Sequence, residues 1–155
     1  MLELNSIGLW QQATVMLDAG IAGILGSAIG WERDRAGKSI GPRTMALVGT
    51  SAASIVAIGA VLDHNAHLGD PTRTIQAIMT GIGFLGAGLI FQTKRSGTQG
   101  VTTAATVFAT AAMGCCVGLG FQAGGAGLTL IILVILRSTQ FLEIAATKHS
   151  AEDLE

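Results

Sequence analysis

Five apolar runs separated by short polar connections set the pattern of this chain, over roughly residues 12–30, 43–62, 74–91, 102–120 and 123–136. A helix needs about 20 residues to cross the roughly 30 Å hydrocarbon core of a bilayer, and the first four runs reach or approach that length. The fifth is the weakest, with about 14 residues of clean apolar character, and it either tilts or continues past Arg137 through Phe141 and Leu142. The pattern predicts an all-α membrane protein. Its form is a compact bundle of about five transmembrane helices over residues 1–142, with a short cytoplasmic tail over residues 143–155. The first run carries its own ruler: Trp10 and Trp31 are 21 residues apart, about 31 Å of helix, so both indoles fall at interfacial depth. A cleavable signal peptide is not expected, because no Lys or Arg precedes Arg33 and such a segment opens with a basic region.

Within the runs, small residues recur at four-residue spacing. Lipid gives helices no hydrophobic drive to associate, so close backbone approach through small residues supplies the contact. Ala22, Gly26 and Gly30 form one ridge on the first helix, and Ala19, Gly23 and Ser27 form a second beside it. Thr102, Thr106, Thr110, Gly114 and Gly118 form a ridge on the fourth. On the third, Ile82, Leu85 and Leu89 share one stripe while Thr80, Gly83 and Ala87 lie away from it, which predicts one face to lipid and the other to a helix. Gly81, Gly83 and Gly86 have the spacing G-x-G-x-x-G, but a dinucleotide loop needs a strand before it and an acid about 20 residues later. No Asp or Glu occurs between Asp70 and Glu143. Gly26, Gly30, Gly81, Gly83, Gly86, Gly88, Thr110 and Gly114 are therefore read as packing residues. The alternative is glycines that break a helix and expose backbone to a substrate, and the absence of proline within the runs favours packing. Two helices carry small residues on more than one face, so a homodimer that buries a surplus ridge is expected.

Composition agrees with lipid as the solvent. Of 155 residues 12% are charged, 50% are hydrophobic and 22 are Gly, with a mean hydropathy of +0.58; a soluble domain carries about twice that charge. The net charge of −1 offers nucleic acid no basic face. Cys115 and Cys116 are neighbours in an apolar run and read as small buried side chains, not as a disulfide or metal pair. Arg33, Arg35, Lys38 and Arg43 follow the first run, Lys94 and Arg95 the third, and Arg137 and Lys148 the last, against Arg73 alone on the other side. By the positive-inside rule the N-terminus lies outside and the C-terminus in the cytoplasm.

The polar residues are few enough to weigh singly. Asp70 reads as a helix cap before Pro71, and Arg73 lies about one turn inside the third helix, where it snorkels or serves a function. Glu32, Arg33 and Arg43 stand at the ends of the first two helices, either as a charge cluster that sets topology or as a functional site. Asp18 lies eight residues past Trp10, about 12 Å deeper along the helix. An ionised carboxylate at that depth is costly, so it pairs with Arg73 or is neutral and bonded to a Thr or a backbone carbonyl. Asp63, His64 and His67 match no strong metal-ligand spacing, and no nucleophile with a base, phosphate loop or zinc motif is present. No enzyme and no cofactor are expected.

The stretches AGILGSAIGWER, GPRTMALVG, DPTR leading into TGIGFLGAGLIF, and GVTTAATVFATAAMGCCVGLG resemble the MgtC/SapB family of bacterial membrane proteins over about residues 22–120. The resemblance implies an inner-membrane protein tied to Mg2+ homeostasis, with Mg2+ as a substrate or a signal. By position it carries the family's polar motif to Glu32, Arg33, Arg43, Thr44, Asp70, Arg73 and Thr103, and its glycine motif to Gly81, Gly83, Gly86 and Gly88. The chain departs from the family pattern in three places: Phe108 stands where a Trp is expected, Gln76 comes one place before an expected Gln, and Asp18 occupies a position that is often basic. Longer members carry a soluble regulatory domain after the bundle, whereas this chain stops soon after Lys148. Two mechanisms are expected. In one, the bundle moves an ion along Asp18, Glu32 and Asp70; in the other, it transports nothing and binds another membrane protein through its small-residue faces.

Overall fold

A computed structural model of the chain describes residues 8–66, 70–93 and 97–152. Among the described residues five helices follow one another: α1 (Leu9–Arg35), α2 (Pro42–Ala66), α3 (Pro71–Leu89), α4 (Val101–Gly118) and α5 (Gln122–Glu152). A two-stranded antiparallel ladder, β1 (Phe91–Thr93) and β2 (Gly97–Gln99), joins α3 to α4 where the sequence pattern offered only a loop. Residues 143–152, expected as part of a tail, continue α5 to a length of 31 residues, about 46 Å. His67, Lys94, Arg95 and residues 153–155 lie outside the described residues.

Glycine sets two of the helix ends. Gly37 has φ +66° after α1, with the Lys38 N–H donating to the Arg33 carbonyl and the Gly37 N–H to Asp34, both at 3.0 Å. Gly120 has φ +86° after α4, and the Phe121 N–H donates to the Cys116 carbonyl in the same pattern. Both are Schellman ends, which close orphan carbonyls and turn the chain sharply.

The bundle is organised around α2, which lies between α1 and α4. A Cβ on Gly26 would fall on the Met45 carbonyl, and one on Gly49 would lie 2.7 Å from the Ala22 carbonyl oxygen. On the other side, a Cβ on Gly118 would lie 2.9 Å from the Ala53 Cα, and Gly114 faces the Gly49 carbonyl and the Ala52 Cβ. These are backbone-to-backbone contacts, the form of association that lipid requires. The Thr50 hydroxyl donates to the Ala19 carbonyl at 3.2 Å and ties α2 to α1. The Thr110 hydroxyl donates back to Thr106 at 2.8 Å and lies 3.4 Å from the Met45 sulfur. Ile29, Met45, Met113, Val56 and Val117 are fully buried around these contacts. Cys115 is buried beside Ala52, Val56 and Ala111.

The third helix packs the other way round from its sequence reading. Ile75, Ile78, Met79, Ile82 and Leu89 lean on the α2–α4 core, and no residue of α3 is fully buried. Gly81, Gly83 and Gly88 meet nothing within 4 Å, and Gly86 makes only ordinary contact with the Ala104 Cβ at 3.7 Å. The predicted packing role of Gly81, Gly83 and Gly88 is therefore absent within one chain. The reason is geometric: α2 and α4 have already closed on each other through small residues, so the groove outside them accepts long Ile side chains rather than a second glycine seam. The ridges containing Gly26 and Thr110 are likewise used inside the chain, so neither is surplus for a dimer.

By length and composition α1, residues 42–64 of α2, and α4 can each cross a membrane. The apolar part of α5 over residues 122–138 is shorter. Chain order makes α3 traverse the bundle as well, since it joins the end of α2 to the start of α4 at the opposite end; α5 does so too, running from Gln122 beside Asp18 to Arg137 beside Trp31. Trp10 and Trp31 are both exposed, at 82% and 58%, as interfacial anchors should be.

The close approach at Gly49 leads to a stability prediction. Gly49→Val should destabilise the bundle by about 1–3 kcal/mol through overpacking. Gly81→Ala, facing open space on a helix, should be neutral or stabilising by up to about 1 kcal/mol. Unfolding in detergent followed by far-UV circular dichroism measures both, and equal effects would contradict the packing described.

Candidate functional site

The polar positions fall at two separate levels of the bundle. At the Trp10 end, Asp18 is 4% exposed on α1. The Gln122 amide Nε2 donates to its Oδ1 at 2.8 Å. Gln122 is the first residue of α5 and is delivered there by the left-handed turn at Gly120. Beside Asp18 is a cavity of about 250 Å3 lined also by Gln11, Thr14 and His64.

The expected pair of Asp18 with Arg73 is not formed. Arg73 is exposed in the first turn of α3, and that turn packs on α2, where Thr74 lies against Gly59. α5 begins beside α1 at this level, and the Gln122 amide takes the place of the cation, and also of the Thr or backbone carbonyl considered as the alternative. A polar residue at the start of the last apolar run, in the same leaflet as Asp18, was the available signal for Gln122.

Asp70 is engaged in capping. Its carboxylate accepts from the Thr72 N–H at 2.9 Å, the Thr72 hydroxyl at 2.6 Å and the Arg73 N–H at 3.4 Å, with Pro71 at the first helical position. The Thr72 hydroxyl is the largest of the interactions that hold this carboxyl below its ordinary value of 3.8, followed by backbone N–H groups and the Arg73 charge.

At the Trp31 end, Glu32 and Arg33 are both buried at the close of α1, at 7% and 2% exposure. Their side chains form a bidentate pair, Nε to Oε2 at 2.6 Å and an Nη to Oε1 at 2.9 Å. Both carboxylate oxygens are thus engaged within the chain. Arg43 and Thr44 are exposed at the start of α2, and Thr44 lines a shallow groove between α2 and α3 together with Gly81. Thr103 is buried in the first turn of α4.

Asp18 and Glu32 are 14 residues apart on α1, about 21 Å, with Ala22, Gly26 and Ile29 buried between them. The predicted polar set is therefore divided: Asp18, Asp70 and Arg73 at one end, and Glu32, Arg33, Arg43, Thr44 and Thr103 at the other. Among the described residues no three His, Cys, Asp or Glu side chains converge as metal ligands. No buried side-chain nitrogen or oxygen among them lacks a hydrogen-bond partner. Inside the bundle Ser27, Ser54, Thr110 and Thr129 each donate to the carbonyl four residues back.

The sequence profile of the MgtC family matches residues 20–144. SrpB of Synechococcus elongatus is 37% identical over 145 residues, covering 86% of this chain and 80% of SrpB. MgtC of Brucella abortus is 37% identical over 132 residues, 83% of this chain and 54% of that protein. YhiD of Escherichia coli, described as a candidate magnesium transporter, is 36% identical over 130 residues, 78% of this chain and 60% of YhiD. The chain thus spans little more than half the length of its longer relatives. No solved structure matches it.

Two measurements check these assignments. Gln122→Leu leaves Asp18 buried without its donor and should cost about 1–3 kcal/mol, more than the double change with Asp18→Leu, whereas Arg73→Gln should stay within about 0.5 kcal/mol. Equal losses for Gln122→Leu and Arg73→Gln would restore the cation pair. For Asp70, a lowered carboxyl value in the fold means a contribution that is present above 3.8 and lost as pH falls through the lowered value. Asp70→Asn should remove that part of the acid sensitivity, seen as a smaller fall in melting temperature below the ordinary carboxylate range.

Proposed function

The chain belongs to the MgtC family of membrane proteins, and from that premise we propose that it serves Mg2+ homeostasis in the bacterial inner membrane by binding another membrane protein, not by conducting the ion through its own five helices. The observation that carries this reading is the seam on either side of α2. Between Asp18 and Glu32 the bundle is closed by backbone contacts at Gly26, Gly49 and Gly114 and by fully buried Ile29, Met45 and Met113. A hydrated Mg2+ ion gives up its water reluctantly and needs oxygen ligands along its route. Glu32 offers none that Arg33 does not already hold.

The surface left for a partner is the outer face of α3. Ala77, Gly81, Phe84 and Gly88 lie on one side of that helix and are exposed. Small residues flanking a single Phe allow a neighbouring transmembrane helix to approach closely. If the partner is a second copy of this chain, the same face rather than the α1 and α4 ridges would carry the homodimer. The basic residues flanking the Trp31 end support an orientation with the N-terminus outside and the C-terminus in the cytoplasm.

Ion transport is the second reading. The description of YhiD favours it, as does Asp18, a buried carboxylate beside a cavity of about 250 Å3. Liposomes containing only this protein separate the two, with Mg2+ entry read by an internal indicator dye. Binding without conduction predicts entry no faster than in protein-free liposomes. Entry that depends on the protein and is abolished by Asp18→Asn would establish transport instead. A photoreactive side chain at Phe84 should give one discrete protein adduct in cells, lost in Gly81→Leu; adducts with lipid alone would remove α3 as the binding face.

A further inference from the structure

A groove between α1 and α5 at the Trp31 end belongs neither to the Asp18 cavity nor to the α3 face. It encloses about 700 Å3, and its apolar bed comes from Ala28 on α1 and from Leu130, Leu133 and Val134 on α5. From Ala28 to Arg35, and from Leu130 to Arg137, each wall runs seven residues, about 10 Å of helix. Both walls end in an exposed cation, Arg35 on one side and Arg137 on the other.

The depth of these cations suits a lipid headgroup. Trp31 marks the membrane interface, and Arg35 lies one turn further out with its guanidinium carbon 5.3 Å from the centre of the Trp31 ring. A guanidinium stacked on an indole still presents its N–H donors in its own plane, and that fork matches phosphate oxygens. Among the described side chains, the nearby acids are engaged elsewhere. Glu32 lines the groove, but both its oxygens are held by the buried Arg33. Asp34 is turned toward Gly41 on the α2 side, its Oδ1 lying 3.7 Å from where a Gly41 Cβ would stand.

We propose that this groove binds an anionic phospholipid, with the phosphate between Arg35 and Arg137 and an acyl chain laid over Leu130, Leu133 and Val134. Ordinary lipid contact needs only the apolar bed; the paired cations at its mouth add a preference for negative charge. A zwitterionic lipid would bring its own cation toward the two arginines and is disfavoured. Basic pockets between transmembrane helices select acidic headgroups by the same electrostatics.

The test is native mass spectrometry of the full chain in detergent, with phosphatidylglycerol or phosphatidylcholine added. Phosphatidylglycerol should be retained in preference. Arg35→Gln and Arg137→Gln should each weaken its binding about fivefold, the effect expected of one cation near an anionic surface. Lys38→Gln, outside the groove, should leave binding unchanged. Val134→Trp should displace the lipid while both arginines remain, with far-UV circular dichroism checking that each variant is folded. Equal retention of the two lipids, unchanged affinity in the Arg35→Gln/Arg137→Gln double variant, an equal loss in Lys38→Gln, or no effect of Val134→Trp would each overturn the proposal.

Discussion

At Gly49 the backbone of α2 meets two others at once. Its missing side chain admits the Ala22 carbonyl of α1, and its own carbonyl faces Gly114 of α4. In a bilayer the surrounding lipid is as apolar as the side chains, so burying a Leu against another helix gains little; closeness of the backbones and interhelical hydrogen bonds do the holding. Gly26 and Gly30 extend the contact along α1, and Gly118 extends it along α4. Three helices fixed at this spacing bury Ile29, Met45, Met113, Val56 and Val117 between them.

That closure sorts the polar residues. Ser27, Ser54, Thr110 and Thr129 bond back to their own helices and Thr50 reaches across to α1, while charged groups lie toward the ends, where Asp18 finds Gln122 and Glu32 finds Arg33. It also pushes α3 to the outside. With the small-residue seams already occupied, α3 attaches through Ile75, Ile78 and Ile82 and turns Gly81, Phe84 and Gly88 outward. A helix held by few buried contacts, with its glycine face free, is suited to exchanging lipid neighbours for a protein one. At the Trp31 end Arg35 and Arg137 flank the groove between α1 and α5.

Much of this was legible in the sequence, for definable reasons. The α1 and α4 ridges follow from four-residue spacing, which needs no knowledge of the partner helix, and Asp70 is recognisable as a cap because capping is local. The orientation of α3 was not legible: both its faces can pack, and the choice depends on whether α2 and α4 have already met. Gly49, Ala53 and Ala57 have the same four-residue spacing as the α1 ridge, so a small-residue face on α2 is legible; the double contact at Gly49 is not, because it comes from two neighbours approaching from opposite sides. Neither Arg73 nor the Thr or backbone carbonyl expected as the alternative is the partner of Asp18, because which residue another helix brings to that depth is a tertiary fact. The ladder between α3 and α4 is too short to leave a periodic trace in the sequence.

The closed centre can be probed at Thr110, which is fully buried between α2 and α4. Thr110→Cys preserves side-chain volume closely, and in a background with Cys115 and Cys116 replaced by Ala it provides a single thiol midway along the bundle. Reconstituted in liposomes and exposed to a small charged thiol reagent, it should remain unmodified while Thr14→Cys, lining the cavity beside Asp18, reacts readily. Labelling of position 110 at a rate comparable to position 14 in the folded protein would mean that water reaches the middle of the bundle, and would contradict a core sealed by backbone contact.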